Sequence, residues 1–166
     1  IYNYDLSLKN HLEEMLERDQ AYRTQWILSR QLHHEETQYD IALRLRADSI
    51  DSLNQVEIRQ ILKKHGFPKK TEVGTSACEA AWIIIQHAPL DVQKEYLPML
   101  ERAATEGNIQ AALVAALHDR IDVREGRPQK YGTQRNHNGI CPLLNKKMVN
   151  QWRKEVGLPP LDEYSK

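Results

Sequence analysis

Near the start of the chain the apolar positions recur with helical spacing. Leu8, Leu12, Met15, Leu16, Tyr22 and Trp26 stand at i, i+4, i+7, i+8, i+14 and i+18. At about 100° per residue they form one stripe, which predicts an amphipathic helix from about residue 6 to 30. Asp19 falls in the middle of that stripe, and Arg23 falls at its edge. An acid on a face that should be buried is the first anomaly, because a carboxylate taken out of water needs a partner.

The polar run HHEETQYD interrupts the pattern. YDIALRLRA supports a short second helix. DSLN then offers caps at Asp51, Ser52 or Asn54, and NQVE has capping-box spacing. A third helix carrying Val56, Ile58, Ile61 and Leu62 is expected to start there. HGFP ends it, with Gly66 as terminator and Pro68 unable to continue. TSACEAAWIIIQHAP is apolar on all sides, as a central helix would be. Ser76 and Glu79 repeat the capping-box spacing, Pro89 stops the helix, and Gln86 and His87 occupy its last turn.

LDVQKEYLPMLERAATEGN reads as a further helix with Pro98 as a kink or restart. Gly107 stops it, and Asn108 is placed to cap the next. That helix has an inner face of Ile109, Ala112, Leu113, Ala116 and Leu117, which Arg120 extends. Asp119 lies near the border of the face, and His118 points away. IDVREGRPQKYGT reads as a small hairpin with arms at 121–123 and 129–133. In an extended second arm Gln129, Tyr131 and Thr133 face one way, and Gly132 admits a close approach. Asn145 can cap a last helix bearing Met148, Val149, Trp152 and Val156, ended by Gly157. The elements together predict an all-α fold: an irregular bundle of five to seven helices with one short β-hairpin. One domain spanning 1–166 is expected, with loose ends at 1–5 and 160–166.

Composition removes whole classes of function. The 23 Lys and Arg equal the 23 Asp and Glu, and the basic residues are scattered among acids, so no nucleic-acid partner is expected. The longest apolar run, AAWIII, falls far short of the roughly 20 residues of a membrane span. Cys78 and Cys141 are too few for a disulfide framework, and Cys78 reads as an inert buried thiol. The first residue is Ile1, so processing, trimming or omission ahead of it is expected. Compartment stays open: cytoplasmic, or periplasmic or membrane-anchored had a signal peptide or lipid anchor preceded Ile1.

The candidate chemistry is polar and distributed. Asp19 and Arg23 are either a buried ion pair or an anion-binding Arg held by its acid. His87 is either a structural imidazole or a general acid or base oriented by Asp119 or Asp19. Arg120 either stitches backbone carbonyls or binds ligand, since guanidinium has five donors. Gln129, Tyr131, Thr133 and Gln134 either satisfy one another or recognise a sugar, amide or carboxylate. Of these, Tyr131 alone could donate a proton. His33 and His34 are adjacent and cannot share a helix face; His87, His118 and His137 lack ligand spacing. No metal and no cofactor is therefore expected.

Several stretches resemble one known family: RDQAYR, DSLNQVEI, HGFP, AAWIIIQHA, HDR, EGRPQKYGTQ and VNQWRKEVGL. It is an uncharacterised bacterial domain-of-unknown-function family whose signature runs DQ-x-x-R, QH, DR and G-x-x-Q-x-YGTQ. The resemblance extends from about Asp19 to Tyr164, and Phe67 stands where the family more often has tryptophan. It implies one domain of that family and supplies no activity. The expectation that emerges is a polar pocket. His87, Asp119 and Tyr131 would be its catalytic groups. Asp19, Arg23, Gln86, Arg120, Gln129, Thr133 and Gln134 would bind a small polar or anionic ligand, with hydrolase-like chemistry. The competing expectation is a non-enzymatic module of immunity or adaptor type that binds a protein partner and whose polar cluster only pins the fold.

Overall fold

The computed structural model describes residues 4–32 and 35–161; His33 and His34, residues 1–3 and residues 162–166 lie outside the described part. Among the described residues there are six helices and one two-stranded antiparallel hairpin. The chain folds as two compact units, residues 1–88 and 89–166.

In the first unit α1 (Leu6–Leu32) packs against both α2 (Gln38–His65) and α3 (Lys70–Gln86). The inward line of α1 is Leu12, Met15, Asp19, Tyr22, Trp26 and Ser29, alternating steps of three and four. This is the spacing that keeps one face of a helix against a neighbour. Leu12 and Met15 of α1, Leu43, Ile58 and Leu62 of α2, and Val73, Ala77, Ile84 and Ile85 of α3 are all buried where these helices pack together. Burying each large side chain contributes about 1.5–3 kcal/mol. The small residues Ala77, Ala80 and Ala81 let α3 sit centrally, as its apolar surround predicts.

One expected break does not occur. α2 runs unbroken through the DSLN segment. Its cap lies upstream, where Thr37 accepts from the Asp40 backbone and Asp40 answers the Thr37 N–H. The hydroxyls of Ser49 and Ser52 donate to carbonyls four residues back. Asn54 instead donates to the Met15 carbonyl of α1 at 3.2 Å. With no Gly or Pro nearby, nothing stops the helix. α3 is interrupted at Gly74 (φ 84°, ψ 169°), so its regular run begins beside the Ser76–Glu79 pair.

In the second unit α4 (Leu90–Thr105) carries Pro98 within it and packs on α5 (Ala111–Arg124). Asn108 does not cap α5; the residue at that position is Gln110, without a side-chain capping bond. Asn108 donates its N–H back to Ala103 instead. The expected first hairpin arm, residues 121–123, is the last turn of α5. That helix closes at Gly126 (φ 74°), whose N–H reaches Val123 while Arg127 reaches Asp122. The hairpin lies downstream, β1 (Arg135–Asn136) with β2 (Gly139–Ile140), in register Arg135↔Ile140 and Asn136↔Gly139. Asn138-Gly139 is the local turn signal. Ile121 and Val123 are β-branched, but Val114, Leu117 and Ile121 continue one helical face, and that packing overrides propensity. α6 (Val149–Glu155) follows a turn in which Asn145 accepts from Lys147 and Met148. Of the expected loose ends, Asp5 donates to the Glu72 carbonyl and Leu161 to Asn150.

Candidate active site

In the first unit α1 projects Asp19 and Arg23, four residues apart on one face, toward α2 and the end of α3. Asp19 is 1% exposed, and its Oδ1 lies 2.9 Å from Nδ1 of His87, which caps the C-terminus of α3. Its Oδ2 accepts from Gln20 at 2.6 Å and lies 3.4 Å from Nε of Arg23. One terminal nitrogen of Arg23 donates to both oxygens of Asp51 on α2, at 2.6 and 2.7 Å. Arg23, Asp51 and His87 are each about a fifth exposed, so the cluster has a buried floor and a solvent edge.

Burial pushes the Asp19 carboxyl up, but the hydrogen bond and charge of His87, with Arg23 and Gln20, outweigh it and hold the group below the ordinary aspartate range. At Asp51 burial wins: together with the nearby Asp19 charge it raises the carboxyl despite the Arg23 bond. The Arg23 guanidinium loses to burial but gains more from Asp51 and Asp19, and ends raised. An ionised Asp19 can only accept, so Nδ1 of His87 carries the ring proton. In its neutral form the ring offers its lone pair at Nε2. Chemically this is a carboxylate-oriented imidazole beside a clamped guanidinium. Asp19, Asp51 and His87 also form a group whose ligand atoms could hold a metal ion.

The second unit contains the other expected residues, arranged differently. Asp119, fully buried, accepts four hydrogen bonds at 2.9 Å: from the backbone of Lys130, Tyr131 and Thr133, and from the Thr133 hydroxyl. Gln129, also fully buried, donates to the carbonyls of Gln134 and Cys141 and accepts from the Gln134 N–H. Gln134 turns its amide to the Ala116 carbonyl and the Thr133 hydroxyl. The segment is thus wrapped around α5 by its own polar groups, as buried polar atoms require. Gly132 (φ 70°) is packed so closely that a Cβ would meet Leu143 at 3.1 Å and Leu161 at 3.2 Å. Arg153 of α6 donates to the Tyr131 and Pro159 carbonyls. Tyr131 and Arg120 are half-buried; in the first unit Gln86 is buried at the end of α3. Cys78 is inert: burial raises its thiol to about 11, and it donates to the Pro68 carbonyl.

Asp51, Gln20, Asn54 and Arg153 carry much of this geometry and were not among the expected site residues. Asp51 and Asn54 look like caps in DSLN, yet a continuous α2 places them on the stripe of Leu43, Ala47 and Ile58. Gln20 sits inside the DQ-x-x-R motif.

The geometry first defines a class: a mostly helical protein, no helix of which is long and apolar enough to cross a membrane among the described residues, with an acid–imidazole–guanidinium cluster. The particular family follows from the sequence. The chain belongs to a family of unknown function, DUF6624, whose family model matches residues 6–166. No curated protein and no solved structure matches it.

Proposed function

We propose that the first unit binds a small polar or anionic ligand and performs acid–base, hydrolase-like chemistry on it, with His87 as the proton-transfer group. The observation that carries the reading is the 2.9 Å pairing of a carboxylate 1% exposed with an imidazole 19% exposed. A buried acid behind an accessible imidazole fixes the ring's tautomer and direction, which is what a general base needs. Asp19 is the orienting group, since Asp119 spends its acceptors on Lys130, Tyr131 and Thr133. Arg23 supplies positive charge, held in place by Asp51.

A second reading is favoured by the inward-turned polar groups of the second unit. There the domain is a non-enzymatic interaction module, and both clusters serve the fold. The test uses p-nitrophenyl phosphate and p-nitrophenyl acetate as model substrates, and inorganic phosphate and acetate as binding probes in calorimetry. Turnover or binding that His87→Ala abolishes and Arg23→Ala weakens is the expected result. Neither turnover nor binding in the parent protein, together with a loss of more than about 3 kcal/mol of stability in His87→Ala, would favour the interaction module.

A further inference from the structure

Asp51 is more than acid–base chemistry requires. An imidazole base needs one carboxylate behind it, yet here two converge on a single guanidinium. Their two negative charges exceed the one positive charge of Arg23. Asp19, Asp51 and His87 each present a ligand atom, and these atoms lie within 4.8 Å of one another. Nδ1 of His87 and Oδ1 of Asp19, 2.9 Å apart, stand close to the spacing of neighbouring ligands on one ion, about 3.0 Å in octahedral and about 3.4 Å in tetrahedral geometry for bonds near 2.1 Å. Arg23 occupies the cation position. It is bound tightly to Asp51 at 2.6 Å and loosely to Asp19 at 3.4 Å.

We propose that this cluster is a binding site for a divalent first-row transition-metal ion, ligated by Asp19, Asp51 and His87, with Arg23 as a resident stand-in that swings aside. Two carboxylates and one imidazole suit Mn²⁺, Fe²⁺ or Zn²⁺, whereas Mg²⁺ and Ca²⁺ take oxygen-only sets. Gln20 anchors Oδ2 of Asp19 at 2.6 Å and leaves Oδ1 to turn from the imidazole to the ion. Ligation through Nδ1 of the neutral imidazole moves its ring proton to Nε2, with no net proton lost. Arg23, partly exposed, has solvent beside it to receive its head group. Three protein ligands leave further positions on the ion for water or a bound molecule. The inference goes beyond the acid–base reading: ion-bound His87 carries its proton on Nε2 and is no longer the base, so the two uses belong to different states of the cluster.

The test is calorimetric titration of the full chain with Mn²⁺ and Zn²⁺, with Mg²⁺ for comparison, each variant first checked for native circular dichroism. One ion per chain is expected. Asp51→Asn and His87→Ala should each weaken binding about tenfold or more. Arg23→Ala should tighten it, because the internal competitor is gone. Absence of stoichiometric binding in both the parent and Arg23→Ala overturns the proposal, as does an affinity that Asp51→Asn and His87→Ala leave unchanged. No substrate is present in this assay, so its failure is separable from failure of the acid–base reading.

Discussion

Two buried aspartates, one in each unit, illustrate opposite uses of the same side chain. Asp119 accepts from three backbone N–H groups and one hydroxyl of a single short loop. Asp19 accepts from side chains: His87, Gln20 and Arg23. The first arrangement consumes every acceptor direction on groups that cannot leave, so it fixes a loop. The second engages side chains, two of which reach the surface and can exchange a hydrogen bond for a ligand or for water. Burial alone does not mark a functional acid; the mobility and exposure of what it holds does.

The comparison predicts unequal losses. Asp119→Ala takes the partner from three backbone donors and a hydroxyl at once, and should cost about 3 kcal/mol or more in chemical denaturation. A loss near that of a surface substitution would mean the loop is held by something else. Asp19→Ala leaves His87 and Arg23 near solvent and should cost about 1–3 kcal/mol, less than its counterpart. Equal losses would erase the distinction. The smallest effect concerns Glu57, which the Arg18 hydrogen bond, aided by His11 against a modest burial penalty, holds below the ordinary glutamate value of 4.5. Because its folded-state value is depressed, its stabilisation is present above that value and fades as pH falls through the lower folded one. Glu57→Gln should therefore lose no more than about 1 kcal/mol at pH 7. Relative to the parent, that loss should shrink in denaturation series taken below pH 4.5.

Periodicity made α1 and its anomalous Asp19 legible, because an acid on an apolar stripe needs no tertiary knowledge to be noticed. It also placed His87 at a helix end, since Pro89 forces the stop. Asp51 stayed hidden because cap chemistry and tertiary pairing use the same residue types, and only α1 decides between them. Residues 121–123 read as a strand because Ile121 and Val123 favour strands in isolation, while Ile121 continues the buried helical face of Val114 and Leu117 and keeps the turn helical. Asp119 was expected at a border and is fully buried. Its cover is a loop more than ten residues downstream, which helix periodicity cannot register.

The most direct test is the unfolding free energy of His87→Ala measured against the parent chain. An imidazole a fifth exposed and bonded through one nitrogen is no strut of the fold; its removal leaves one oxygen of the buried Asp19 without that partner and should cost about 1–2 kcal/mol, no more than Asp19→Ala. A loss above about 3 kcal/mol would make His87 a strut like Asp119 and contradict the assignment of the first unit's cluster as a functional site.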